Sequence, residues 1–501
     1  MPCSTACRSA MPLCPGASRR KQAWPLTLGF SLFTLLLLGC LPLFSSLAAH
    51  PPPVFKAGAA TSNITPWLGV SINGNMRDKP AQHIHDELHA RALVLDDGRT
   101  RLAIVLCDSC MIPRAIFDDA KHMVQERTGL PLDHMLMAAT HTHSAPAATG
   151  IFQSEPDPRY QQFLTRRIAD SVQRAVNNLQ PARIGWGVGK LDTQVFNRRW
   201  KLKGKMPPGP FKETHDKVKM NPRPGSPELV EPAGPIDPQV SVVAVQTAGG
   251  EPLALLANYS LHYVGGTRGG EVSADYFGMF ADRIQQMIGA DRRDPPFVAM
   301  LSNGTSGDIN NINFRKPRER REPYEQMRIV AGELAREVER VYLGLEYHDW
   351  VPLDARVTEL EFAVRKANEA EFAWARQVLK DAGSGQLTTL PQIYARETAL
   401  LSQYPDKVRL IVQSLRIGDL AIAAIPCEVF AEIGLELREK SPFGATFTIE
   451  LAGGYNGYLP TPRQHELGGY ETWRARSSYL EKNASVKIVE TLVKQFKALK
   501  E

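Results

Sequence analysis

Short apolar runs and longer amphipathic stretches alternate through most of this chain. Apolar runs of strand length predict β-strands over residues 93–96, 102–106, 135–139, 240–246, 253–258, 297–301, 408–415, 420–425 and 447–451. Apolar positions recurring every three to four residues predict helices over 114–127, 160–179, 276–287, 324–343, 368–382, 429–438 and 484–497. Strands interleaved with longer helices imply an α/β protein, a layered sandwich with a mixed β-sheet core flanked by helices. A single large catalytic domain is expected over residues 49–501. The stretch 197–238 is rich in Pro, Gly and Lys, has no period, and is expected to be a long excursion from the scaffold.

Composition supports a folded protein: 43% of the 501 residues are hydrophobic and 22% charged. The net charge of +6 is unevenly placed, since residues 198–223 hold nine Lys/Arg against two acidic residues. One basic segment on a slightly acidic body excludes a general nucleic-acid binder. At the N-terminus, Arg19, Arg20 and Lys21 precede a long apolar run without a charged residue. Residues 1–48 therefore read as an export signal peptide, cleaved after Ala48, or as a retained membrane anchor. Leu37-Leu38-Gly39-Cys40 offers a lipoprotein-type alternative. The expected location is secreted, periplasmic or at the cell surface. Beyond the leader only Cys107, Cys110 and Cys427 remain, and they are expected to be buried thiols with at most one bridge.

Candidate chemistry gathers where apolar strands end, the usual place for sites in α/β folds. Thr140-His141-Thr142-His143-Ser144 follows one strand, and two histidines at i and i+2 on an extended segment face the same side. His262 closes another strand. Ser302-Asn303-Gly304-Thr305-Ser306-Gly307-Asp308-Ile309-Asn310 forms a polar turn whose backbone N–H groups suit an oxyanion. Pro426-Cys427-Glu428 joins a strand to a helix, and Tyr455-Asn456-Gly457-Tyr458 lies in a Gly-rich turn. His83-Ile84-His85 is a competing pair. Together with His141 and His143 it would suit a binuclear site of the amidohydrolase type.

In this order, these motifs resemble the neutral (non-lysosomal) ceramidases. His85-Asp86, Ala90-Arg91-Ala92, Asn197-Arg198 and Tyr470-Glu471 add to the resemblance, which covers about residues 56–475. It implies one Zn²⁺ ion held by His141, His262, Glu428 and Tyr458, and a substrate contact by Arg198. Two imidazoles, a carboxylate and a phenol oxygen are chemically reasonable ligands for zinc. The family places a serine, proposed as nucleophile, two residues after the Asp of its Gly-Asp turn. Here that position is Asn310. The family's C-terminal immunoglobulin-like domain is not expected after the last predicted helix.

Chemistry on these residues does not need the serine. Zinc can activate water and polarise an acyl oxygen. His143 is then expected to move a proton, with Asn310, Tyr458 and the 304–308 backbone as oxyanion donors. The resulting expectation is an exported zinc hydrolase of amide (N-acyl) bonds acting on a small-molecule or lipid substrate. Contact with a membrane surface is expected through the basic excursion. A non-catalytic lipid- or glycan-binding protein on the same scaffold is the alternative from another class.

Overall fold

The computed structural model describes residues 53–211 and 215–501. The leader expected over 1–48, with its cleavage, anchor and lipoprotein alternatives, lies outside the described residues. Among the described residues no helix is long and apolar enough to cross a membrane.

Eight strands build the larger sheet: β1 Lys56–Asn63, β2 His89–Asp96, β3 Arg101–Cys107, β4 Met135–Ala139, β5 Gln180–Lys190, β6 Gln239–Thr247, β7 Pro252–Tyr259 and β8 Val298–Asn303. Their spatial order is β8-β7-β6-β5-β1-β2-β3-β4. The pairs β3·β4 and β7·β8 are parallel and the others antiparallel, so the sheet is mixed as expected. A second sheet holds β9 Leu353–Ala363, β10 Lys407–Ile417, β11 Leu420–Ile425 and β12 Ala445–Glu450 in that order, with β11·β12 parallel.

The two sheets pack face to face. Alternation along β3 shows how the sequence specifies this. Leu102, Ile104 and Leu106 enter the core between the sheets, where they meet residues such as Leu415, Ile422 and Phe447. Ala103, Val105 and Cys107 point the other way, toward helices α1 Arg114–Thr128 and α2 Pro158–Asn177. Farther along the same outer face lie α3 Asp275–Met287 and α4 Glu325–Tyr342. The helices α5 Glu369–Ala382 and α6 Leu390–Leu401 pair with each other. The outer face of the second sheet is covered by α7 Ala431–Lys440 and, after the short α8 Pro462–Leu467, by α9 Ala484–Lys500. The result is a four-layer helix–sheet–sheet–helix sandwich.

The excursion is more ordered than its composition predicts. Arg199–Leu202 forms a small sheet with Lys219–Met220 and Leu229–Pro232. Trp200 is buried, with its indole N–H donating to the Asn197 carbonyl, and Phe211 packs edge-on against Trp374 and Tyr394. Lys203 and Lys205 remain exposed.

Candidate metal centre

The site stands at the C-terminal ends of strands from both sheets. Beyond β4 the chain turns at His141, whose φ is 76°. The turn after β3 sets this geometry: the Ser109 carbonyl accepts from the His141 backbone N–H at 2.8 Å, and the Cys110 carbonyl lies 2.8 Å from His141 Nδ1. The Cys107–Cys110 spacing thus serves backbone positioning. The three cysteines among the described residues are free and buried, and burial pushes each thiol up, so they stay protonated. His262 follows β7, and its Nδ1 lies 3.1 Å from the Ser306 carbonyl in the turn after β8. Glu428 opens a two-residue strand paired in parallel with Tyr458–Leu459, with Glu428 directly opposite Tyr458. Paired residues in such a ladder project to the same face.

These segments bring His141, His262 and Glu428 together, three of the four expected ligands, with Tyr458 on the strand beside Glu428. A carbonyl can only accept, so Nδ1 of His141 and of His262 must carry the hydrogen, and each Nε2 then presents a lone pair. The two Nε2 atoms face each other at 3.0 Å. Glu428 Oε2 lies 3.4 Å from His141 Nε2 and 3.8 Å from His262 Nε2, buried and without a hydrogen-bond partner among the described residues. The other Glu428 oxygen accepts from Tyr455 at 3.1 Å. Opposed lone pairs beside an orphaned carboxylate need a cation or a proton between them. His141, His262 and Glu428 therefore fit a metal ion on their own geometry. A second possible ligand group joins His141 to Cys110 and His143; His83 and His85 belong to neither group among the described residues, and His85 instead pairs with Asp86 at 2.6 Å and stacks on Tyr324.

His143 reaches the same point from the other side, with Nε2 3.1 Å from His141 Nε2. Its ring stacks on Tyr263 at 3.6 Å between centroids. Burial, reinforced by His141 and Arg198, holds this imidazole well below its ordinary range, so it is neutral. Gly74 closes the far side at φ 94°, and a Cβ there would overlap the His143 ring. Gly74→Ala is therefore expected to lower turnover through displacement of His143, at a stability cost on the order of 1–3 kcal/mol. Thermal denaturation and initial rates check both parts.

Arg198 and Arg199 are buried and share the fully buried Glu471. Arg198 Nε donates to one carboxylate oxygen at 2.9 Å and Arg199 Nη1 to the other at 2.5 Å. A second Arg198 bond goes to the Gly307 carbonyl at 2.8 Å, and its guanidinium lies 5.4 Å from the centre of the Tyr458 ring. Glu471→Ala should leave two buried cations short of a counter-charge and destabilise the fold by about 3–5 kcal/mol, read by denaturant titration.

Asn310 is turned toward the excursion. Its amide nitrogen donates to Asn221 at 2.6 Å and its oxygen accepts from the Ile312 N–H at 2.8 Å, leaving one amide hydrogen for another partner. One carboxylate was not singled out from the sequence. Glu450, at the end of β12, accepts from Ser306 Oγ at 2.6 Å and from the Val429 N–H at 2.7 Å, so it braces the turn under His262 and the strand of Glu428. Burial pushes its carboxyl up to about 8.

Residues 55–318, just over half of the chain, match the family described as neutral/alkaline non-lysosomal ceramidase, N-terminal. The chain belongs to that family. It is 26% identical over 303 residues to the neutral ceramidase of Pseudomonas aeruginosa, covering 57% of this chain and 41% of that protein. It is 24% identical over 253 residues to neutral ceramidase A of Dictyostelium discoideum, covering 47% of this chain and 32% of that protein. The matched stretch thus spans less than half the length of either curated relative. The crystal structure of the Pseudomonas aeruginosa neutral ceramidase superposes with a TM-score of 0.67 at 20% identity, over 89% of this chain and 74% of that one. A ceramidase complexed with C2 gives 0.68 at 18% identity, over 89% and 75%. These structures share the ceramidase fold with this chain.

Proposed function

We propose that this chain is an exported, zinc-dependent hydrolase of N-acyl (amide) bonds. The observation that carries the reading is the pair of opposed imidazole lone pairs, 3.0 Å apart, beside the orphaned Glu428 oxygen. His141, His262 and Glu428 would hold the ion, with the Tyr458 phenol as fourth ligand from the neighbouring strand. Zinc there would supply Lewis-acid polarisation of an acyl oxygen and make water more acidic.

The chain's own residues do the rest. Neutral His143 accepts the proton of the attacking water and returns it to the amine nitrogen as the C–N bond breaks. Arg198 lies against Tyr458 and supplies positive charge toward the developing oxyanion, whereas Asn310, engaged with Asn221 and Ile312, is not placed as the oxyanion donor expected from the sequence. Water replaces the serine that the family pattern would place at Asn310. An apolar cavity of about 300 Å³, lined by Met76, Met206, Met220, Tyr470 and Trp473, suits an acyl chain. Tyr470 stands edge-on to Tyr458 at 5.7 Å, which puts that cavity next to the proposed metal ligands.

The reading is tested with matched dodecanoyl amides and esters, assayed before and after chelation. Chelator-sensitive release of dodecanoate from the amides supports it. Binding of these compounds without release of the acid would favour the non-catalytic alternative instead.

A further inference from the structure

We propose that the amine half of the substrate carries an anionic oxygen group, read by Lys316, Arg318 and Arg320. The proposal rests on the amide-hydrolase reading above and adds a substrate class to it.

Two cavities adjoin at Gly265 and Gly266, and the first of them reaches His143. The first, about 210 Å³, is lined by His143, Tyr263 and the 265–271 segment. The second, about 660 Å³, shares Gly265 and Gly266 with the first and extends along the 316–324 segment. The wall between them is a built feature. Buried Asp275 accepts from the Val264 N–H at 3.1 Å and from the Gly265 N–H at 2.8 Å, and the Gly266 carbonyl accepts from the Tyr324 N–H at 3.1 Å. The larger cleft therefore begins at a fixed edge, Gly265–Gly266, that also borders the cavity holding His143.

That cleft is short of negative charge. Its lining carries Lys316, Arg318, Arg320 and Arg321 against Glu319 and Glu322. Arg321 is already paired, with Glu319 at 2.7 Å and with Glu325 at 2.9 Å. Just outside the lining, Arg315 lies over the Trp200 ring. Lys316, Arg318 and Arg320 make no side-chain hydrogen bond or ion pair among the described residues, and Glu322 alone is left to balance three cations. Three exposed, unpaired cations along a cleft that adjoins the His143 cavity at Gly265 and Gly266 would attract an anionic substrate end there. With the apolar cavity beside Tyr458, the arrangement suits an acyl chain at one end and a carboxylate or phosphate at the other.

The test uses three amides with one acyl chain: N-dodecanoylglycine, N-dodecanoylphosphoethanolamine and N-dodecanoylethanolamine. Wild-type kcat/KM should favour the first two over the neutral third, and rising salt should raise KM for the anionic pair only. In Lys316→Gln/Arg318→Gln/Arg320→Gln the anionic-to-neutral ratio should fall roughly tenfold, carried by KM, the scale set by a few exposed ion pairs. A preference for N-dodecanoylglycine alone would assign the group as carboxylate, and for the phosphoethanolamide alone as phosphate. Equal kcat/KM for all three, or a ratio unmoved in the triple variant, overturns the inference while amide hydrolysis stands. Should none of the three be cleaved, the amide-hydrolase reading fails. Calorimetric binding to the metal-free chain then decides the inference by itself, because equal affinity for the glycine and ethanolamine conjugates would overturn it.

Discussion

Zinc is expected to leave the chain when either His141 or His262 is replaced by alanine, while the sandwich persists. Both side chains sit on turns beyond strand ends, so their removal leaves the cores between the layers intact. Each supplies one of two opposed Nε2 lone pairs. Loss of either should cost more than the roughly 10–100-fold in metal affinity that an outer-sphere partner contributes. Amide hydrolysis should drop to background in both variants. A proton competes for the same place. Although burial opposes its charge, the Glu428 carboxylate beside it holds His141 well above the ordinary imidazole range in the metal-free chain. Zinc must displace that proton, so affinity should fall about tenfold per unit as pH drops below the His141 pKa. Elemental analysis of the dialysed variants reads the outcome, with circular dichroism reporting the fold. Stoichiometric zinc in both variants would contradict the assignment.

His143→Ala is expected to reduce kcat by about 10²–10⁴-fold with zinc retained. His143 approaches His141 at 3.1 Å and could share a metal only with His141 and Cys110, whose buried thiol stays protonated, not within the His141, His262 and Glu428 group. Its neutral imidazole is suited to taking a proton, and the Tyr263 stack holds the ring in place. A variant that loses zinc together with activity would make His143 a ligand and remove the proton-transfer role. His143→Gln separates the cases further, because it keeps a polar contact but cannot shuttle a proton.

Much of this was legible from periodicity. The predicted strands at 135–139 and 420–425 coincide with β4 and β11, because a continuous apolar run bounded by polar turns has few other solutions. The strand β5 gave no such signal. Gly185, Gly187 and Gly189 alternate along it because the α4 end of the molecule packs there, with Glu337, Val341 and Leu345 where a Cβ would stand. Its pattern was set by a neighbour distant in sequence. Likewise β1 is built largely of small residues that read as neither strand nor helix.

The site divides the same way. Histidines closing apolar strands are visible in a sequence, and so is a Pro-x-Glu at a strand–helix junction. What orients them is not. The Cys110 and Ser306 carbonyls that fix both imidazole tautomers are backbone groups, indistinguishable in sequence from any others. Glu450 could have been noticed as a lone carboxylate ending the apolar strand before Leu451. Its contacts with Ser306 and Val429 depend on two turns folding against it.

Titration of the metal-free chain with zinc, with hydrolysis of an N-dodecanoyl amide followed at each step, tests the central claim most directly. The account predicts activity that rises linearly and saturates at one zinc per chain. Saturation at two, as a binuclear site using His83 and His85 would require, or hydrolysis unaffected by zinc, would contradict it.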